Sequence, residues 1–268
     1  MIELWQVDAF CDRPFAGNPA AVAVGALDVD DVMRQAIASE MNLSETAFVV
    51  PGTAADGVAS LRWFTPATEV DLCGHATLAA AHVLWNELGH DADTLRFATR
   101  SGELRARREA AGIVLDFPAL PAVEIEPPAG LVDALGVDPV EVHTGGDDLF
   151  VVLADASTVT ALAPDIAALG RLTVAGRVPR GVIVSAEGGV EADVTSRFFG
   201  PAVGVDEDPV TGSAHCVIGP FWARRLGRGE IRAHQASARG GRLLVRELGE
   251  RVELVGSAVT VARIELLV

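Results

Sequence analysis

Residues that could do chemistry occur twice in this sequence, in two stretches with the same internal spacing. Each stretch passes through a glycine, Gly74 or Gly212, with cysteine, histidine, threonine or serine beside it, and then enters an apolar run. The run closes with Leu-Gly at the same distance in both copies, from 74 to 89 and from 212 to 227. This pattern predicts two helices ended by glycine caps, whose N–H groups would hold an anionic substrate between matched halves. The alternative is a duplicated domain that repeats its turns without shared chemistry.

Glu45 is a candidate for proton transfer. It stands between Ser44 and Thr46, directly before an apolar run. A carboxyl group next to apolar residues suits a side chain that both takes up and returns a proton. The residue types alone also fit a solvated glutamate in a turn or a helix cap, so both interpretations stay open at this point.

Further side chains are candidates for holding a substrate at the two helix starts. His75 could bind a carboxylate or relay a proton, although a structural role fits equally well. Asp208 precedes a proline, which restricts the direction of its carboxylate, whereas a plain helix-dipole role is the alternative. Ser213 could place its hydroxyl and N–H groups on an anion, or act only as an N-cap. Asn18 and Arg239 are weaker candidates, because such residues often only shape or solvate turns.

Cysteine chemistry has a requirement that the sequence does not meet. Two thiols on opposite faces of an amino acid could racemise it, but the position that matches Cys73 in the second copy is Thr211. Cys216 lies later, within the apolar run, where a buried thiol is an ordinary core residue. The cysteines and histidines also lack the spacing of a zinc site, so we predict no metal.

The composition excludes several classes of function. The net charge of −16 argues against nucleic acid, because phosphate binding needs clustered basic residues. All 21 basic residues are arginine and tyrosine is absent, so neither a lysine Schiff base nor a tyrosine acid or base is available. Without a Gly-x-Gly-x-x-Gly motif after a strand, no dinucleotide cofactor is expected. No secretion signal and no uninterrupted run of about 18 apolar residues occur, which predicts a cytoplasmic protein without a membrane span.

The elements that must position these residues are strand-like segments with a few helices. A proline-rich stretch at 118–128 is the best linker. It predicts an N-terminal lobe of residues 1–117 and a C-terminal lobe of residues 118–268, with the option that the last strand returns to the first lobe. Residues 28–41 have the apolar spacing of a helix. The second long helix contains Gly219 and Pro220, so we expect a kink there that the first copy lacks.

Six ordered motifs, spread over almost the whole chain, resemble the phenazine-biosynthesis PhzF-like family, within the diaminopimelate epimerase fold superfamily. The motifs occupy residues 7–10, 17–20, 42–46, 62–66, 73–77 and 207–214. The resemblance implies an α+β fold of two pseudo-symmetric lobes, each a β-sheet wrapped around a central helix, with the active site between the lobes. It also implies a homodimer and no cofactor.

The resemblance further implies roles for individual residues. In the isomerase that this chain resembles, a glutamate that matches Glu45 moves a proton on a dihydro-hydroxyanthranilate. The resemblance implies that His75, Asp208 and Ser213, with the glycine turns at Gly74 and Gly212, hold the substrate. Asn18 and Ser44 are predicted to bind it as well. We therefore predict a cofactor-independent isomerase that acts on a small carboxylated metabolite. Two alternatives remain: a two-base amino-acid racemase or epimerase that uses Cys73, and a non-catalytic dimer that binds a small ligand.

Overall fold

The structure, a computed structural model, describes residues 2–25, 29–52 and 57–267. The chain forms two compact units. Unit 1 comprises Met1–Asp116 together with Leu254–Val268, and unit 2 comprises Phe117–Glu253. The division expected from the sequence lay after residue 117. Within the described ranges, no helix has the length and hydrophobicity needed to span a bilayer.

Unit 1 is built around a sheet of mixed direction. Its strands before the linker are β1 (Ile2–Ala9), β2 (Asn18–Val24), β3 (Glu45–Val50), β4 (Val58–Phe64), β5 (Glu69–Val70), β6 (Thr94–Thr99), β7 (Gly102–Glu109) and β8 (Gly112–Pro118). β1 pairs antiparallel with β2, and β2 pairs parallel with β3. β3 pairs antiparallel with β4, which then pairs parallel with β6 and leads through an antiparallel pair to β7.

Two helices lie on this sheet. Helix α1 (Asp31–Met41) begins after Asp30, whose side chain caps it by accepting a hydrogen bond from the Met33 N–H at 2.8 Å. Its predicted start at residue 28 lies outside the described residues. Helix α2 (Gly74–His82) begins at the glycine that the sequence repeat predicts, and a π-helical turn (Val83–Glu87) continues it. Helix α2 packs against β1, β2 and β3, which places its first turn beside the starts of β2 and β3.

The strands of unit 2 also run in mixed directions. Its strands are β9 (Ala122–Glu124), β10 (Glu141–Gly145), β11 (Asp148–Val152), β12 (Val182–Glu187), β13 (Val194–Gly200), β14 (Val205–Asp208), β15 (Glu230–Gln235) and β16 (Gly241–Leu248). Strand β17 (Arg251–Gly256) begins in unit 2 and ends in the last segment of unit 1. The helices of unit 2 are α3 (Leu131–Leu135), α4 (Ala156–Ala161), α5 (Ile166–Leu169) and α6 (Gly212–Leu226). The chain then ends in β18 (Ala258–Leu266), which pairs antiparallel with β1 in unit 1.

The two units follow the same order of strand pairing. In unit 2, β10 pairs antiparallel with β11, β11 parallel with β12, β12 antiparallel with β13, β13 parallel with β15, and β15 antiparallel with β16. In both units the long helix follows a short strand, β5 or β14, that forms a hairpin with the strand before it. The next strand after the helix, β6 or β15, then pairs parallel with the first strand of that hairpin, β4 or β13. The duplicated stretch of sequence is therefore one duplicated supersecondary unit, and a sheet packed on one long helix is present in each copy.

Helix α6 contains Gly219 and Pro220, where the sequence predicts a kink. The helix stays α-helical through Pro220, and the irregular turn lies instead in the first copy, after α2. Proline has no N–H to donate to the carbonyl four residues earlier. That carbonyl, of Cys216, accepts a hydrogen bond from the Leu120 N–H at 2.9 Å instead. Gly219 is needed for close packing, because a Cβ there would lie 2.2 Å from Val245 Cγ1.

Candidate active site

Five polar residues of unit 1 gather where β2, β3 and α2 begin. Asn18 is the first residue of β2, and Glu45 is the first residue of β3, directly after Ser44. Cys73 is the N-cap of α2, and His75 is its second residue. Because β2 and β3 are parallel neighbours, Asn18 and Glu45 start from the same edge of the sheet. We call these five residues the Glu45 cluster.

The closest approach in the Glu45 cluster joins a carboxyl group to an imidazole. Glu45 Oε2 lies 3.1 Å from His75 Nε2, and the two side chains are 18% and 6% exposed. The angles between the atoms do not make a hydrogen bond, and neither atom has another hydrogen-bond partner among the described residues. Buried polar atoms in proteins are normally satisfied, so an incoming polar group could supply the missing partner.

Asn18 holds the other side of the imidazole. Its Nδ2 lies 3.2 Å from His75 Nδ1, and its Oδ1 accepts a hydrogen bond from Ser44 Oγ at 3.0 Å. In this arrangement Nδ1 accepts, so the ring proton of neutral His75 lies on Nε2 and faces Glu45. A turned Asn18 amide would present its oxygen to a protonated Nδ1. Asn18 can therefore orient the imidazole in either protonation state.

Burial and mutual proximity set the acidities within the cluster. Burial, and then the Glu45 carboxylate, raises the pKa of the Cys73 thiol, whose Sγ lies 3.6 Å from His75 Nδ1. Burial is the largest single influence on His75 and lowers its pKa, but Cys73 and Glu45 together raise the pKa well above its usual value. Glu45 and His75 thus form a carboxyl–imidazole pair in which the imidazole favours its charged form. Glu45 and His75 can share a proton at the edge of the sheet where β2 and β3 begin.

The start of α2 adds the electrostatics of a helix end. Cys73 has extended backbone angles, φ −147° and ψ 112°, and its side chain makes no cap hydrogen bond. Thr77 Oγ1 donates to the Cys73 carbonyl at 2.5 Å, which fixes the first turn. Gly74 and His75 open the helix, where N–H groups and the helix dipole favour a negative charge. An anionic group near Glu45 would therefore be stabilised.

A second polar cluster, in unit 2, surrounds the start of α6. Thr211 is the N-cap of this helix, and its Oγ1 donates to Asp208 Oδ2 at 2.5 Å. Gln235 bridges the same two residues: its Oε1 accepts from the Thr211 N–H at 2.9 Å, and its Nε2 donates to the Asp208 carbonyl at 2.7 Å. We call Asp208, Thr211 and Gln235 the Asp208 cluster. Gln235, at the end of β15, thus fixes the conformation of the backbone between Asp208 and Thr211, directly before α6.

Ser213, the second residue of α6, carries a contact that the sequence analysis missed. Its Oγ accepts a hydrogen bond from Arg180 Nη2 at 2.9 Å. Arg180 Nε donates to Asp148 Oδ1 at 2.9 Å, and its Nη2 donates to Asp148 Oδ2. The guanidinium also lies over the Phe198 ring, 5.4 Å from its centroid. The ion pair between the partly exposed Arg180 and the buried Asp148 thus places a positive charge next to the helix start.

The predicted site residues fall into these two groups. Asn18, Ser44, Glu45, Gly74 and His75 come together in unit 1, whereas Asp208, Gly212 and Ser213 come together in unit 2. Thr211, and not Ser213, is the N-cap of α6. Arg239 lies in the bend between β15 and β16. The residues that sequence reasoning missed are Asp148, Arg180 and Gln235. The local signal that could have pointed to Arg180 is an arginine two residues before an apolar strand.

Comparisons with known proteins agree over almost the full length. Residues 7–263 match the family model PhzC-PhzF, described as phenazine biosynthesis-like protein. An uncharacterized isomerase of Pseudomonas aeruginosa is 52% identical over 262 residues, which is 97% of this chain and 97% of that protein.

Solved structures show the same fold. A crystal structure of a phenazine biosynthesis protein of the PhzF family from Enterococcus faecalis superposes with a TM-score of 0.93 at 41% identity, covering 100% of this chain and 99% of that one. A predicted epimerase from Pseudomonas aeruginosa superposes with a TM-score of 0.73 at 26% identity, covering 100% of both chains. These neighbours confirm the predicted α+β, epimerase-like fold class.

Proposed function

Because the chain belongs to the phenazine biosynthesis-like (PhzC-PhzF) family, we propose that it is a cofactor-independent isomerase in which Glu45 moves a proton on a small carboxylated substrate. The observation that carries this proposal is the buried contact of 3.1 Å between Glu45 Oε2 and His75 Nε2. Both atoms lack a hydrogen-bond partner among the described residues, so they are ready to engage a substrate.

The proposed reaction needs only one mobile proton. Glu45 takes a proton from a carbon atom of the substrate, and the electron pair of that C–H bond moves into the substrate's π system. Glu45 then returns the proton to a second carbon, so one C–H bond breaks, another forms and the composition does not change. His75, whose ring is held by Asn18, lies 3.1 Å from the carboxyl group and interacts with its charge during both transfers. A positioned acid or base of this kind typically accelerates a reaction about 100- to 10,000-fold.

The negative charge of the substrate needs its own stabilisation. The start of α2, with Gly74 and His75, is one place for a carboxylate. In unit 2, Ser213 lies at the start of α6, and its hydroxyl oxygen accepts a hydrogen bond from Arg180. The positive charge of Arg180 would favour a second anionic group at this helix start. These features support a carboxylated substrate, and the predicted binding roles of Gly212 and Asp208 belong to this second place.

Solvent-deuterium exchange tests the role of Glu45. Purified protein in D₂O would be incubated with carboxylated cyclic amines and amino acids, and deuterium incorporation followed by NMR. We expect exchange with the wild type and a loss of about 100-fold or more in Glu45→Gln, because the amide cannot accept the proton.

Glu40→Gln is the matched control, since Glu40 is an exposed glutamate of α1. The control should exchange at the wild-type rate. Undiminished exchange in Glu45→Gln would refute the assignment of Glu45.

A two-base racemase is the second candidate, and one observation favours it. Cys73 lies in the Glu45 cluster, with its Sγ 3.6 Å from His75 Nδ1. The matching position is Thr211, whose hydroxyl hydrogen-bonds Asp208 and is a poor base. Loss of turnover in Cys73→Ser with normal turnover in Glu45→Gln would favour the racemase. Tight ligand binding without any exchange would instead favour a binding protein.

A further inference from the structure

The Glu45 cluster holds three side chains that together form a set of metal donors. Glu45, Cys73 and His75 each offer one donor atom, and these atoms all lie within 4.8 Å of one another. We propose that these three residues bind a thiophilic divalent cation of the zinc class, with one coordination position left open. The sequence spacing did not predict this site, because the carboxylate comes from β3 and the other two donors come from the start of α2.

The donor types and separations suit this cation. Zinc prefers thiolate, imidazole and carboxylate ligands at about 2.0–2.3 Å in a tetrahedron, so its ligand atoms lie about 3.5 Å apart. Glu45 Oε2 lies at such a separation, 3.1 Å from His75 Nε2, and the donor atoms of the three residues all lie within 4.8 Å of one another. Only one nitrogen of His75 can bind the ion, and the side chains must move closer together to reach the zinc–ligand distances.

An independent observation also indicates a ligand here. Glu45 Oε2 and His75 Nε2 are buried and without a hydrogen-bond partner among the residues that the structure describes. The two atoms face each other at 3.1 Å as an ion pair, and no hydrogen bond from the described residues fixes either of them. A cation between them would satisfy both, and the thiolate would complete three protein ligands with an open fourth position.

The surroundings of His75 match those of a metal-bound histidine. Such a histidine usually has its second nitrogen held by a hydrogen bond, which fixes the tautomer and the ring plane. Asn18 lies 3.2 Å from Nδ1 and can accept from it after its amide turns, while Ser44 Oγ then accepts from the amide nitrogen. Binding at Nε2 therefore needs no new residue in the outer shell.

Cation binding would stop the reaction proposed above. A carboxylate that coordinates an ion is no longer available to take a proton from carbon. This consequence rests on the proposed role of Glu45, whereas binding itself rests on the three donors. We therefore expect zinc to inhibit the wild-type protein and a chelator to restore its activity.

Zinc binding can be measured without any substrate. Metal-free protein would compete with a chromophoric chelator for Zn²⁺, and we expect one equivalent bound by the wild type and at least tenfold weaker binding by Cys73→Ser. Cys216→Ser is the control, because Cys216 is another buried free thiol and lies in α6 of unit 2. Equal affinity in wild type and Cys73→Ser, or no stoichiometric binding, would overturn the proposal.

The wild type also offers a test that needs no variant. Co²⁺ in place of Zn²⁺ should produce a thiolate-to-cobalt charge-transfer absorption, and Cys216→Ser should retain it. A cobalt adduct of the wild type without this absorption would exclude Cys73 as a ligand and overturn the site. Because neither measurement uses turnover, their failure is distinguishable from failure of the deuterium-exchange test.

Discussion

His215 is a buried histidine that should make the protein acid-sensitive. Its Nδ1 lies 2.8 Å from the Thr211 carbonyl, and burial lowers its pKa to about 4. Above pH of about 6.5 the residue is neutral in both the folded and the unfolded state. Between pH of about 6.5 and 4 only the unfolded chain takes up the proton. Acidification over this range therefore lowers the free energy of unfolding, and His215 contributes about 3 kcal/mol to that loss.

The measurement is urea unfolding at several pH values between 7 and 4. The variant His215→Gln cannot take up this proton, so its stability should fall less on acidification than that of the wild type. Parallel loss of stability in the two proteins would show that His215 is not the group responsible.

Arg180 and Asp148 form an ion pair, so substitutions of the two residues should have coupled effects on the free energy of unfolding. Asp148 has a side chain only 2% exposed, and its pKa is raised by burial despite the nearby guanidinium. We expect Arg180→Met to lower the free energy of unfolding by about 2 kcal/mol, because it leaves a buried carboxylate unpaired while Arg180 itself is partly exposed. The double variant Arg180→Met/Asp148→Leu should regain much of this loss in chemical denaturation. Additive losses would contradict the coupling.

At the scale of elements, α6 depends on a small residue where it meets β16. A Cβ on Gly219 would lie 2.2 Å from Val245 Cγ1 and 3.2 Å from Val245 Cβ. We expect Gly219→Ala to destabilise the protein by about 1–3 kcal/mol through overpacking, although alanine favours a helix. Thermal unfolding of Gly219→Ala in a Val245→Ala background should show a smaller penalty. A stabilised Gly219→Ala protein would contradict this account of the helix.

Element prediction succeeded where local rules decide. The starts of α2 and α6 at Gly74 and Gly212, and the end of α6 at Gly227 with φ 65°, follow the glycines of the repeat. At Pro220 the cost of a proline inside a helix depends on which group hydrogen-bonds the carbonyl four residues earlier, and the local sequence does not show that group. That partner, the N–H of Leu120, comes from a distant segment of unit 2 and leaves no local signal.

At the scale of the whole molecule, we predict a homodimer. The support is the family resemblance, together with the confirmed membership of the PhzC-PhzF family. Light scattering of the purified protein should give twice the chain mass of 28.0 kDa, independent of concentration in the micromolar range. A single-chain mass across that range would contradict the prediction.

The sequence by itself determined the family, the isomerase class that the names of relatives confirm, and the duplicated helix starts. These features are local, since ordered motifs, glycine caps and apolar spacing act over a few residues. Only the tertiary structure decided which side chains meet. His75 reaches Glu45 on a strand far earlier in the chain, and Arg180 reaches Ser213 across 33 positions. Such contacts follow from strand pairing and helix packing, which local spacing does not encode.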